Sequence, residues 1–118
     1  MSTPKVERDG STAVVYSACF GGGWSTRYDG PNPEVVVPVM LHHPDLVTLV
    51  ERGNFTGADV RLTLVAVLGK EAVVDVPYIG ANSLVVTWVP MGTLFFISNY
   101  DGRETVHHHA DGNEWHIA

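Results

Sequence analysis

Residues 94–108 read LFFISNYDGRETVHH, two β-prone runs on either side of Asp101-Gly102. An Asp-Gly pair between two such runs is a strong signal for a two-residue β-hairpin turn. Counting outward from the turn predicts four cross-strand pairs: Tyr100 with Arg103, Asn99 with Glu104, Ile97 with Val106, and Phe96 with His107.

Side-chain alternation along these two strands predicts two different faces. Phe95, Ile97 and Val106 share the face that we assign to the core. A purely solvated face rarely carries two aromatic rings, so we expect the other face to be a partner surface or a ligand wall. That face combines aromatic, cationic and hydrogen-bonding groups: Phe96, Tyr100, Arg103 and His107.

The rest of the chain predicts a small α+β domain. We expect a buried strand over residues 12–20 and an extended, proline-punctuated segment over 29–38. His43-Pro44-Asp45 opens a helix that ends at Gly53, and residues 59–68 favour a second helix, although Val60 to Leu64 also alternate like a strand. Residues 84–89 predict a further strand.

The predicted fold is thus α+β, with a small antiparallel sheet, one or two short helices and a C-terminal β-hairpin. Residues 1–11 are expected to be a flexible N-terminus, and residues 12–118 a single ligand-binding domain.

Composition narrows the classes of function. Thirteen acidic against seven basic residues give a net charge of −6, which argues against DNA or RNA as a partner, because a phosphate-backbone binder needs a basic field. Cys19 is the only cysteine, so no intrachain disulfide can form. Residues 1–10 lack an apolar signal core, and no apolar run approaches the roughly 20 residues of a membrane span. We therefore expect a cytoplasmic protein with no membrane partner.

The most informative motif is the glycine-aromatic loop, residues 21–28, which reads GGGWSTRY. The backbone N–H groups of Gly22 and Gly23 could form an anion-binding concavity. Trp24 offers a stacking surface, Arg27 a guanidinium for phosphate, and Tyr28 a further ring. Together these groups favour a nucleotide site. The alternative is a tight turn in which Trp24 simply fills the core.

Other motifs carry weaker signals. His107-His108-His109 suggests metal ligands, but on a strand the middle side chain points away from its neighbours, so we predict no metal site. We also expect no cofactor and no enzymatic activity, since the chain offers neither a Gly-x-Ser-x-Gly nucleophile motif nor a recognisable acid-base pair.

The order of the motifs resembles a family of small phage-encoded proteins, the first described Thoeris anti-defence proteins. The resemblance rests on a strand followed by Gly21-Gly22-Gly23-Trp24-Ser25-Thr26, a helix ending in Glu51-Arg52-Gly53, the segment 89–95 (VPMGTLF) and the hairpin 99–104 (NYDGRE). Proteins of this family are sponges that sequester a cyclic ADP-ribose-type signal, and some hold cyclic oligonucleotides at a separate site between subunits.

The resemblance implies roles for particular residues. Trp24 and its loop would form the base-stacking wall, with Tyr78 and Asn99 as further pocket residues. Arg52 and Arg103 would be candidates for phosphate contacts. The predicted ligand site therefore comprises Gly22, Gly23, Trp24, Arg27, Tyr28, Arg52, Tyr78, Asn99, Tyr100 and Arg103.

The expected function is the binding of a cyclic nucleotide-derived signal without its cleavage. Because 118 residues leave little room for a deep pocket, we expect a site shared between subunits of a homo-oligomer. The alternative is a protein–protein inhibitor that docks on a host defence enzyme through the face with Phe96 and Tyr100.

Overall fold

The computed structural model describes residues 4–18, 22–74, 76, 81–108 and 116–117. Over these residues the chain forms three α-helices, six strands and two short 3-10 turns. The strands are β1 (Glu7–Arg8), β2 (Ser11–Ser17), β3 (Leu84–Pro90), β4 (Leu94–Tyr100), β5 (Arg103–His108) and β6 (His116–Ile117); the helices are α1 (Pro33–His42), α2 (Pro44–Arg52) and α3 (Gly57–Leu68); the 3-10 turns are Ser25–Arg27 and Ala81–Ser83.

The strands form two antiparallel three-stranded sheets, with orders β1-β2-β3 and β5-β4-β6. The predicted α+β class is confirmed, and the single small sheet of the prediction is in fact two. The hairpin register is also confirmed, since Tyr100 pairs with Arg103 and each of the other three predicted pairs is present.

The first sheet buries both of its faces. Ala13 and Val15 of β2 pack with Leu84 of β3 against the three helices, in the helix-side core. The other face, with Val14 and Val89, packs against the hairpin in the hairpin-side core. A strand buried on both faces has no polar side, which explains why β2 reads as a continuous apolar run.

The predicted core face of the hairpin is confirmed. Phe95 is fully buried, and Ile97 and Val106 pack beside it in the hairpin-side core. Helix α1 lies between the two cores, because Met40 enters the helix-side core and Leu41 enters the hairpin-side core.

Helix α1 corrects the prediction of an extended segment over residues 29–38. Pro33 occupies the first turn, where a missing N–H costs nothing, and Asn32 enters the helix through a left-handed conformation. Pro38 removes one backbone hydrogen bond inside the helix. Burial of the apolar residues that follow it outweighs that loss: Val39, Met40 and Leu41 are each at most 5% exposed.

A buried histidine on the last turn of α1 contacts the backbone of β2, the central strand of the first sheet. The His42 ring lies 3.0 Å, through Nδ1, from the carbonyl oxygen of Ala13. Since a carbonyl oxygen only accepts, Nδ1 carries the proton and donates it. His43 caps α2 by accepting a hydrogen bond from the backbone N–H of Asp45, so the prediction that His43-Pro44-Asp45 opens this helix is confirmed.

Helices α2 and α3 begin and end on residues that the sequence makes recognisable. Gly53 ends α2 with φ of 78°, as predicted. The helix predicted over 59–68 is confirmed, but it starts two residues earlier. Thr56 is its N-cap, and Asp59 accepts a reciprocal hydrogen bond from the Thr56 backbone in a capping box.

The N-terminal segment is more ordered than predicted. Residues 7 and 8 form β1, Val6 accepts a hydrogen bond from the backbone of Ala13, and Met91 donates to the carbonyl of Gly10. The flexible N-terminus expected over residues 1–11 is therefore wrong from Val6 onward. None of the helices in the described ranges is long and apolar enough to cross a membrane.

We expect Thr56→Ala to lower the free energy of unfolding by about 1 kcal/mol, because the first turn of α3 loses its side-chain cap. Chemical denaturation followed by circular dichroism measures this. Thr48→Ala is the matched control, since Thr48 is exposed in the interior of α2. An equal loss in both variants would contradict a capping role for Thr56.

Candidate functional site

The glycine-aromatic loop is organised around the carboxylate of Glu104, which is 1% exposed. Its Oε1 accepts the backbone N–H of Ser17 at 2.9 Å. Its Oε2 accepts the backbone N–H groups of Trp24 and Thr26, each at 3.0 Å, and also the hydroxyl of Thr26. The loop does form an anion-binding concavity, and the anion that it binds is a side chain of the same protein.

Asn99 extends this network to the hairpin turn. Its side-chain amide donates to the hydroxyl oxygen of Thr26 at 2.7 Å, and its carbonyl oxygen accepts the backbone N–H of Gly102 at 2.9 Å. The loop and the hairpin, which the sequence placed in one predicted site, therefore meet within one chain. The side chains of Thr26, Asn99 and Glu104, which join them, are hydrogen-bonded in series.

Trp24 corrects the prediction of a stacking wall. It is 0% exposed, and its indole N–H donates to the carbonyl of Met40 at 2.8 Å. The ring is packed in the core, and its one polar atom already has a hydrogen-bond partner there, so Trp24 presents no surface to a ligand. Of the two alternatives that the sequence left open, the structure has the core-filling one.

Of the two backbone anion contacts predicted at Gly22 and Gly23, the one at Gly22 stays a prediction, and the N–H of Gly23 has a different partner. The N–H of Gly23 points to the hydroxyl of Ser17 at 3.4 Å. Gly23 has φ of 108°, and a Cβ there would lie 2.4 Å from Cδ of Arg27. Glycine is favoured at this position by its positive φ, which strains other residues, whereas the exposed Arg27 side chain could move aside.

The remaining predicted residues are dispersed. Arg27 is exposed beside the loop, and the Tyr28 hydroxyl donates to the carbonyl of Pro31. Arg52 lies at the end of α2 and donates to the carbonyl of Asn54. Tyr78 lies outside the described residues, as do Cys19 and His109.

Tyr100 and Arg103 form a cross-strand pair next to the pair of Asn99 and Glu104. Since neighbouring pairs face opposite sides of a sheet, Tyr100 and Arg103 point away from the loop. Tyr100 is 78% exposed. The structure thus gathers Gly23, Trp24 and Asn99 around Glu104 and leaves Arg52, Tyr100 and Arg103 elsewhere.

A cleft of about 870 Å³ opens on another side of the molecule, between the end of α2 and strand β3. Its volume lies in the range of small-molecule sites, roughly 300–1,000 Å³. A smaller pocket of about 180 Å³ beside Arg103 lies below that range. The large cleft combines aromatic, apolar and hydrogen-bonding side chains, including Val50, Glu51, Phe55, Asn82, Ser83 and Trp88.

Arg8 of β1 contacts two of the residues that line this cleft. Its guanidinium pairs with Glu51 through two bonds, Nη1 to Oε2 at 3.0 Å and Nη2 to Oε1 at 3.1 Å. The same guanidinium lies 4.4 Å from the ring centroid of Trp88, in a cation–π contact. Arg8 is not itself a lining residue, but it is paired with the carboxylate that lines the cleft and lies over a lining ring.

Sequence reasoning missed the residues that matter most here. Glu104 had a usable signal: the predicted register places it on the face of Phe95 and Val106, where a carboxylate must find donors. Apart from its residue type, nothing in the sequence marked Trp88 as a cleft residue, because it lies in an apolar strand. Arg8 was hidden by the prediction of a flexible N-terminus.

No group of three or more potential metal ligands occurs within the described ranges. His107 instead stacks on Phe96 at a centroid distance of 4.6 Å and shares a 2.7 Å hydrogen bond with the Ser98 hydroxyl. Comparisons with protein-family models, curated proteins and solved structures found no match to this chain.

We expect Glu104→Gln to lower the free energy of unfolding by at least about 2 kcal/mol. Glutamine replaces one accepting oxygen with an N–H₂ group, which then faces a buried backbone donor. Thermal melts and near-ultraviolet circular dichroism, which reports on tryptophan packing, measure the change. Glu71→Gln is the control, because Glu71 is exposed. Unchanged stability in Glu104→Gln would contradict the assigned role of the carboxylate.

Proposed function

We propose that this protein binds a small nucleotide-derived ligand in the cleft beside Trp88 and holds it without changing it. The observation that supports the proposal is the composition of the cleft. Trp88 and Phe55 supply aromatic surface for a base, while Asn82 and Ser83 supply hydrogen-bonding groups for its edge or for a ribose. Trp88, rather than Trp24, takes the stacking role in this proposal.

The polar groups of the cleft suit binding better than catalysis. Glu51 is the carboxylate among the lining residues named above, and both of its oxygens are held by Arg8. A general acid–base pair needs two titratable groups, and Glu51 is the one such group among the described residues that line the cleft. Tight binding without chemistry is what a sequestering protein requires, and preorganised walls favour it.

We take the proposed class of ligand from the resemblance of the sequence to the Thoeris anti-defence proteins. The proposed ligands are a cyclic ADP-ribose-type signal and cyclic oligonucleotides. The proposed role is that of a phage-encoded sponge in the host cytoplasm. The cleft lies within one chain, so its volume does not require a second subunit. The homo-oligomer stays a prediction, which sedimentation analysis would test.

We expect Trp88→Ala to weaken nucleotide binding by about 1–3 kcal/mol, the cost of losing one stacked ring. Isothermal titration with cyclic ADP-ribose isomers, ADP-ribose and cyclic di- and trinucleotides measures the affinity. Heating the complex and separating the released ligand by chromatography shows whether it is unchanged.

Leu62→Ala is the control for this titration, because Leu62 is 68% exposed on α3 and does not line the cleft. Trp88 also packs against the helix-side core, so the thermal melt of Trp88→Ala is recorded beside its affinity, and Phe55→Leu provides a second, milder variant. The proposal fails if no nucleotide binds the wild type at micromolar concentration, or if the released ligand is altered.

A second candidate function rests on the outer face of the hairpin sheet. Leu94 and Tyr100 are 44% and 78% exposed, and Phe96 lies between them on the same side of β4. Aromatic and apolar residues exposed together are typical of a protein-binding surface. An inhibitor of a host defence enzyme would use this face.

For this second candidate we expect Tyr100→Glu to abolish recovery of a partner protein from host lysate, because a charge would be buried at the interface. Affinity capture with each variant measures it. Trp88→Ala should still recover the same partner. Loss of the partner in Trp88→Ala alone would instead assign binding to the cleft.

A further inference from the structure

Arg8 occupies an unusual position between two residues of the cleft. Its guanidinium is held on one side by the Glu51 carboxylate and lies over the ring of Trp88 on another. The group is thus oriented by two contacts before any ligand arrives. An oriented guanidinium is the side chain that proteins use to bind phosphate through two parallel hydrogen bonds.

The pair with Glu51 is exchangeable. The side chains of Arg8 and Glu51 are 55% and 33% exposed, so water screens their attraction. Exposed ion pairs of this kind contribute little to stability. A more highly charged anion that enters the cleft can therefore compete with Glu51 for the same two N–H groups.

The contact with Trp88 does not depend on Glu51. Arg8 belongs to β1, which pairs with β2, and the backbone on either side is tied through Val6 and Gly10. Its Cα therefore stays in place when the carboxylate is released. The guanidinium can remain over the ring while its hydrogen bonds change partner.

We infer that Arg8 determines the specificity of the cleft for phosphate-bearing ligands, with Glu51 as the internal carboxylate that the ligand phosphate displaces. This inference rests on the proposed function and names the chemistry of the ligand: a planar ring for Trp88 and Phe55, and a phosphate for Arg8. Glu51 competes with the phosphate for the same two N–H groups, whereas a neutral ligand leaves the pair with Arg8 intact.

Titration with ADP-ribose and with adenosine tests the inference, since both carry adenine and only the first carries phosphate. We expect Glu51→Gln to bind ADP-ribose about three- to fivefold more tightly, because a repelling and competing charge is removed. Arg8→Ala should bind ADP-ribose about tenfold more weakly and with a shallower salt dependence. Adenosine affinity should change by less than about twofold in Glu51→Gln.

Glu71→Gln and Arg61→Ala are the matched controls, because both residues are exposed and neither lines the cleft. Binding of ADP-ribose to Glu51→Gln but not to the wild type would overturn the inference, because the phosphate would then be unable to displace Glu51. If Trp88→Ala weakens ADP-ribose binding while Glu51→Gln and Arg8→Ala leave it unchanged, the inference is overturned and the proposed function stands. If neither probe binds the wild type or Glu51→Gln, both fail.

Discussion

The carboxylate of Glu104 joins the C-terminal hairpin to the end of β2 and the glycine-aromatic loop, which lie about 80 residues earlier in the sequence. It receives hydrogen bonds directly from the end of β2 and from the glycine-aromatic loop. The link to the hairpin turn is indirect, because Asn99 donates to the hydroxyl oxygen of Thr26. A buried carboxylate is costly unless its oxygens are satisfied, so the loop must stay where its N–H groups meet them. The same constraint carries Trp24 into the core, because its backbone is one of the donors. Placement of the loop, the tryptophan and the hairpin therefore depends on a single side chain.

Helix α1 adds a second link between the same parts of the fold. Met40 accepts the indole hydrogen bond of Trp24 through its carbonyl, and its neighbours fill both cores. His42 then binds the carbonyl of Ala13 in β2 and packs edge-on against Phe95 of the hairpin. Polar groups inside this small domain are thus paired across elements rather than within them. Such pairing specifies how the two sheets face each other, which apolar packing alone leaves less defined.

The sequence predicted most of what depends on local signals. The Asp101-Gly102 turn determined the hairpin register, and Gly53 determined the end of α2. It failed where tertiary contacts override local preference: three prolines in residues 29–38 suggested an extended chain, yet the burial of Val39 to Leu41 favours a helix through Pro38. The candidate site was harder still. Trp24 and Trp88 are the same residue type in apolar surroundings, and only the packing shows that the first is enclosed while the second lines a cleft.

Two glutamates show how environment divides structure from binding in this chain. Glu104 is enclosed and held by neutral backbone donors and a hydroxyl, so removing it would leave several of these donors without the partner that they have here. Glu51 is held by one cation at a partly exposed rim, where water can replace either partner at little cost. An incoming anion could reach the N–H groups around Glu104 only by disrupting the loop. At Arg8 it has only to displace the carboxylate of Glu51. Because of this difference, the glycine-aromatic loop supports the fold although its geometry suits an anion. The cleft beside Trp88 is the better place for a ligand.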